Sequence, residues 1–172
     1  MSATAPDPIE DPVAAHVHRT LLDLGIEHEL MPCDPALADT AAFCAAYGVD
    51  PGDSANTIVV VGKSNPPVHV ACVVLATTRL DVNRAVRTRL GVKKASFCAA
   101  EETREMTGME IGGVTAIGLP DGVPVWIDSA VMDRDRIVLG GGSRNWKVRC
   151  APGALLVIPG FEVVEGLAAP VG

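Results

Sequence analysis

Aromatic residues are scarce: Phe43, Tyr47, Phe97, Trp126, Trp146 and Phe161 are the six among 172 residues. That argues against a platform that holds single strands by stacking successive bases. No apolar run approaches the roughly 20 residues needed to cross a bilayer; the longest, Val68 to Ala76, has the length of a strand. The opening MSATAPDPIEDP has neither a basic region nor an apolar core, so residues 1–10 are expected to form a disordered lead rather than an export signal. The five cysteines (Cys33, Cys44, Cys72, Cys98, Cys150) make an odd set without a CxxC pair and are expected as reduced thiols of a cytoplasmic protein. His16 and His18 fall on different faces of a predicted helix, and His69 is read as a packed or edge histidine of a strand. No metal or cofactor is expected, and no Ser-His-Asp arrangement stands out. With neither an internal repeat nor a low-complexity linker, residues 11–172 are expected to form one domain.

Charge is present, but unevenly. The net charge of −7 speaks against nonspecific nucleic-acid binding, DNA included. Yet eleven of the fourteen basic residues lie in two short stretches, Arg79 to Lys94 and Arg134 to Arg149. Segregation of this kind can place a positive patch on an acidic protein. Arg84, Arg87, Lys93, Lys94, Arg144 and Lys147 are its candidate contacts.

Patterning predicts a mixed α/β domain. A first helix starts at Asp11-Pro12 and stops near Gly25, and a second covers Thr40 to Tyr47. Strands are expected over IEHELM, NTIVVVG and VHVACVVLA, the last apolar on both faces and therefore central. A helix from Asp81 to Gly91, a strand KKASFCA and a helix ending at Gly108 follow. GGVTAIG, PVWID, RIVLG and KVRC read as four short strands in a meander, then PGALLVI as a helix and FEVVEG as a strand.

Glycine is the most informative residue. Gly112-Gly113 precede an apolar stretch, and Gly140-Gly141-Gly142 end the strand RIVL. As strand ends in one sheet, the two clusters are expected to wall one pocket, where exposed N–H groups could meet a carbonyl or anionic oxygen. Tight turns account for the same glycines. Asp128 reads equally as a turn cap or a substrate contact. Thr115 and Ser143 could hydrogen-bond a substrate or serve local turns.

From Asn56 to about Ile158, the order "strand, TGxxxGGVxxxG, PVWID, IVLGGG" resembles the YbaK/ProX family of aminoacyl-tRNA deacylases, related to the editing domain of bacterial prolyl-tRNA synthetases. The resemblance rests on Thr107-Gly108, Gly112 to Val114, Asp128 and the glycines before Ser143. It implies a barrel-like mixed sheet surrounded by helices, acting as a monomer or homodimer on the amino-acid-bearing acceptor end of tRNA. By the same resemblance, Gly112, Gly113, Thr115 and Asn56 are the candidate catalytic positions; Val114, Ala116, Asp128, Gly140, Gly141, Gly142 and Ser143 are the candidate substrate contacts. The chain departs from the family pattern at two of these, with Asn56 in place of a lysine and Ala116 in place of a proline. A lysine restored at position 56 is expected to raise affinity for tRNA. A branched side chain at Gly113 is expected to block substrate approach while sparing the fold. Three readings stay open: a freestanding deacylase, a noncatalytic relative that binds tRNA or an aminoacyl ligand, and a small-molecule hydrolase or binder.

Overall fold

A computed structural model describes residues 10–171, so the disordered lead expected over residues 1–10 lies outside the described residues except for Glu10. Helix α1 (Pro12–Asp23) begins where Asp11 accepts hydrogen bonds from the N–H groups of Val13 and Ala14, at 3.2 and 3.3 Å. A cap of this type contributes about 0.5–2 kcal/mol. Its Ala14, Val17 and Leu21 are buried. β1 (Glu29–Pro32) follows, and α2 (Thr40–Tyr47) ends at Gly48, whose φ of 68° is the left-handed stop that the sequence pattern anticipates.

The main sheet has five strands in the order β5-β2-β3-β6-β9. β2 (Ala55–Gly62) pairs antiparallel with both β3 (Val68–Leu75) and β5 (Ala95–Phe97), whereas β6 (Val125–Asp128) runs parallel to β3 and to β9 (Phe161–Val164). β3 is central, as expected, and is buried without interruption from Val70 to Leu75. A short β4 (Thr78–Leu80) leads into a wide helical turn over Val82–Val86 and α3 (Arg87–Leu90). α4 (Ala100–Thr107) lies between β5 and β6 in sequence.

A second sheet, β1-β8-β7, joins β7 (Ile137–Gly140) and β8 (Trp146–Cys150) to β1, all antiparallel. A parallel bridge from Ser54 to Val138 brings β7 beside the start of β2, so the two sheets curl around one core. Val73, Ile127, Leu139 and Val148 meet there, with Leu21 from α1. Val60, Cys72, Val74, Val86 and Trp126 form a smaller cluster on the outer face of the main sheet. β10 (Ala168–Pro170) pairs with β4.

Three expectations are corrected. GGVTAIG is not a strand but a chain of turns: Thr115, Ala116 and Ile117 are buried in succession rather than alternately, and positive φ at Gly112 (93°) and Gly118 (80°) breaks any pleat. The meander is absent among the described residues, because β6 occupies a slot in the main sheet while β7 and β8 belong to the other. PGALLVI forms a 3₁₀ segment over Pro152–Val157 rather than an α-helix.

Candidate functional site

A pocket of about 360 Å³ opens where the two sheets meet. Ser54 to Val59 of the β2 segment and Val138 to Gly140 of β7 form its floor. Asp39, Thr40 and Phe43 close one side, and Phe97, Cys98 and Thr103 the other. Ile111, Gly112 and Val114 complete the rim. Lys147 of β8 also lines it, and sequence spacing hides this convergence, since its parts come from six separate segments.

The glycines bring the walls together. Gly142 donates to the carbonyl of Gly113 at 2.7 Å, and a Cβ built on Gly113 would lie 2.5–2.8 Å from the backbone of Ser143. A Cβ on Gly140 would run into the backbone oxygens of Val114 and Gly113. The bare backbone therefore serves first to let two loops pack main chain to main chain. The N–H of Gly113 bonds Glu110, that of Gly141 bonds Trp146, and that of Thr115 points at the Met109 sulfur, at 2.8, 3.0 and 3.4 Å. This network leaves out the N–H groups of Gly112 and Val114, two of the three loop residues that line the pocket.

The polar groups are few and specific. Thr40 donates its hydroxyl to Oδ1 of Asn56 at 2.7 Å. Thr57 is buried, and its hydroxyl has no hydrogen-bond partner among the described residues. By strand alternation Thr57 faces the core with Ala55 and Val59, so its hydroxyl is closed off from the pocket that its residue lines. Thr57 was not singled out in the sequence, although its place between Ala55 and Val59 in the inward alternation of β2 is visible there.

Lys147 is the cation among the residues that line the pocket. Its residue is only 7% exposed; Nζ donates to the carbonyls of Ala38 and Gly112 at 2.7 and 2.8 Å and lies 5.2 Å from the centroid of the Phe43 ring. Burial pushes its pKa below the ordinary 10.5. This corrects the expectation that Lys147 is a surface contact for phosphate: trapped between α2 and the glycine loop, it presents its ammonium inward. Between the lowered folded value and 10.5, the unfolded chain binds more protons than the folded one. Stability therefore rises with pH across that window, and the buried charge costs stability below it. Urea unfolding from neutral pH toward 10.5 should show the wild type gaining on Lys147→Met as pH rises. A constant difference would mean that the amine keeps its ordinary affinity for the proton.

Other candidates are dispersed. Asp128, 2% exposed, lies away from the pocket and accepts hydrogen bonds from Leu167 and Ala168 at 3.1 and 3.3 Å, so it caps a turn and ties down the C-terminal segment. Ser143 accepts from the N–H of Asn145 at 3.3 Å, also a turn role. Ala116 and the unpartnered hydroxyl of Thr115 are buried outside the pocket, and Gly141 and Gly142 stand behind its wall. Arg144 bonds the carbonyls of Pro35 and Ile111 at 2.9 and 2.7 Å and Asp39 at 3.1 Å, which makes it a clamp on the rim. Arg84, Lys93 and Lys94 are exposed and Arg87 half-buried, on the segment that feeds β5 and the rim residue Phe97.

Residues 34–157 match the aminoacyl-tRNA editing domain family, and the chain belongs to that family. A protein of Enterococcus faecalis named provisionally as a Cys-tRNA(Pro)/Cys-tRNA(Cys) deacylase, EbsC, is 25% identical over 120 residues, which is 70% of this chain and 71% of that protein. Among solved structures, one described provisionally as a trans-editing enzyme for prolyl tRNA synthetase superposes with a TM-score of 0.77 at 25% identity, over 90% of this chain and 96% of its own. The protein APE2540 has the same fold, with a TM-score of 0.79 at 22% identity over 90% and 99% of the two chains. Among the described residues no helix is long and apolar enough to cross a membrane.

Proposed function

We propose that this chain is a freestanding aminoacyl-tRNA deacylase, one editing domain over residues 11–172, which hydrolyses the ester of mischarged tRNA in the cytoplasm. The observation that carries this reading is the buried Lys147 ammonium facing a pocket in a chain that belongs to an editing family. Hydrolysis of an ester puts negative charge on the carbonyl oxygen in the transition state. A fixed cation and backbone donors in a dry site stabilise that charge without reorganising. Lys147, with the N–H groups of Gly112 and Val114, supplies this stabilisation. The Asn56 amide, whose oxygen already accepts from Thr40, turns its N–H groups to the polar groups of the aminoacyl moiety. Phe43, Val59 and Val138 limit the size of its side chain, where one methylene is worth about 1–3 kcal/mol.

The acceptor end leaves the pocket over Phe97 and Ile111, which are 60% and 56% exposed on the rim. Arg84, Arg87, Lys93 and Lys94 then meet its phosphates. Turnover measured against a panel of mischarged tRNAs tests the proposal. Release of one or a few small amino acids is the expected result, and no release from any member, with tRNA still bound, would make the chain a noncatalytic binder.

A further inference from the structure

His69 of β3, Cys98 just past β5 and Glu102 in the first turn of α4 form a cluster that the proposed editing chemistry does not use. One imidazole nitrogen, the thiol sulfur and a carboxylate oxygen all lie within 4.8 Å of one another. Glu102 bridges the set: Oε1 is 3.3 Å from Nε2 of His69, and Oε2 accepts from the Cys98 thiol at 3.1 Å. We propose that these three side chains bind a zinc-type divalent cation, with water in the fourth position.

The argument is geometric and chemical. Zinc bonds of about 2.0–2.3 Å in a tetrahedron place ligand atoms roughly 3.3–3.8 Å apart, so the cluster needs little movement to close on an ion. A nitrogen, a sulfur and a carboxylate oxygen suit zinc, whereas magnesium and calcium take oxygen ligands. Binding releases the thiol proton, and the resulting thiolate and carboxylate neutralise the ion. The ligands are also held by the fold. The N–H of Cys98 donates to the Val59 carbonyl at 2.9 Å, which fixes that residue to β2, while His69 is a member of β3 and Glu102 of α4. His69 and Cys98 are half-buried and Glu102 is exposed, so an ion can enter. Bound there, it clips the start of α4 to the sheet. The other end of α4 leads into the glycine loop, and Cys98 itself lines the pocket, so the ion would stiffen one wall of it. Only Cys98 and Glu102 are close in sequence; His69 reaches them through β3, which is why no metal spacing shows in the chain.

Metal binding is read without turnover, so the proposal stands apart from the editing reaction. The full-length protein, stripped with a chelator, is titrated with cobalt(II) and then with zinc. One cobalt per chain is expected, with a thiolate-to-cobalt charge-transfer band that zinc abolishes, together with a zinc-dependent rise in melting temperature. Cys98→Ser should remove the band, and His69→Ala should weaken binding by more than the roughly 10–100-fold that loss of an outer-sphere partner costs. Glu102→Gln should weaken it as well. All three positions are at least partly open to solvent, and circular dichroism confirms the fold of each variant. Absence of the band in the wild type, or its persistence in Cys98→Ser, overturns the site.

Discussion

Lys147→Met is expected to lower kcat for deacylation by about 10²–10³-fold, the loss that follows removal of one oriented donor from an oxyanion site. Methionine keeps the length and the apolar stem. What goes is the ammonium that bonds Gly112 and Ala38 and lies over Phe43. The carbonyls of Gly112 and Ala38 lose a donor, at about 1–3 kcal/mol each if they stay dry, while the cost of burying a charge disappears. These terms oppose each other, so the variant should fold. A second substitution separates chemistry from packing. Asn56→Lys alone adds a second cation to a pocket of about 360 Å³ already holding one, so like-charge repulsion should cancel the gain expected from the sequence. In the Lys147→Met background the same change restores a single ammonium from β2, across β7 from Lys147, and should recover part of the lost turnover. A Lys147→Met protein with wild-type kcat would show that the buried ammonium only supports the rim.

Much of this site was half-legible in the chain. The glycine clusters do meet, and Gly112, Val114, Gly140 and Asn56 do line one pocket. Lys147 appeared only as one member of a basic stretch. In WKVRC the alternation suggests one polar face, but Trp146, Lys147 and Val148 are all buried, because α2 and the glycine loop cover the side a solvated lysine would occupy. The carbonyls that satisfy it lie 109 and 35 residues away in sequence, and local pattern carries no such information. Asp128 was ambiguous for a related reason: the N–H groups it bonds lie 39 and 40 residues on.

The elements followed local rules more closely than their assembly did. Asp11-Pro12 and Gly48 delimit helices because caps act within a turn, and β3 announces a central strand by being apolar on both faces. The glycine loop misled because its apolar run is buried by tertiary packing rather than by pleating. Nor does a short apolar strand such as β6 reveal whether its partner is the next strand or one reached by a crossover through α3 and α4. That choice rests on long-range burial.

Gly113→Val is expected to destabilise the whole chain, contrary to the reading that it would spare the fold and only block substrate. Any Cβ at this position falls 2.5–2.8 Å from the Ser143 backbone, and backbone cannot swing aside as the end of a flexible side chain can. The facing loop is also anchored twice, by the hydrogen bond from Gly142 to Gly113 at 2.7 Å and by the bonds of Arg144 to Pro35, Asp39 and Ile111. Overpacking in a yielding core costs about 1–3 kcal/mol. Here the loss should reach about 3 kcal/mol or more, a large part of the roughly 5–15 kcal/mol that holds an ordinary domain together. The urea midpoint should fall accordingly, with Gly113→Ala intermediate and Gly153→Ala, where a Cβ meets nothing within 4 Å, as the control. Loss of deacylation in Gly113→Val would then follow from separation of the two loops, since Lys147 would lose its Gly112 carbonyl as the wall moved. An unchanged urea midpoint would mean that the loops part at little cost, and the glycines would then have to be explained by the ligand after all.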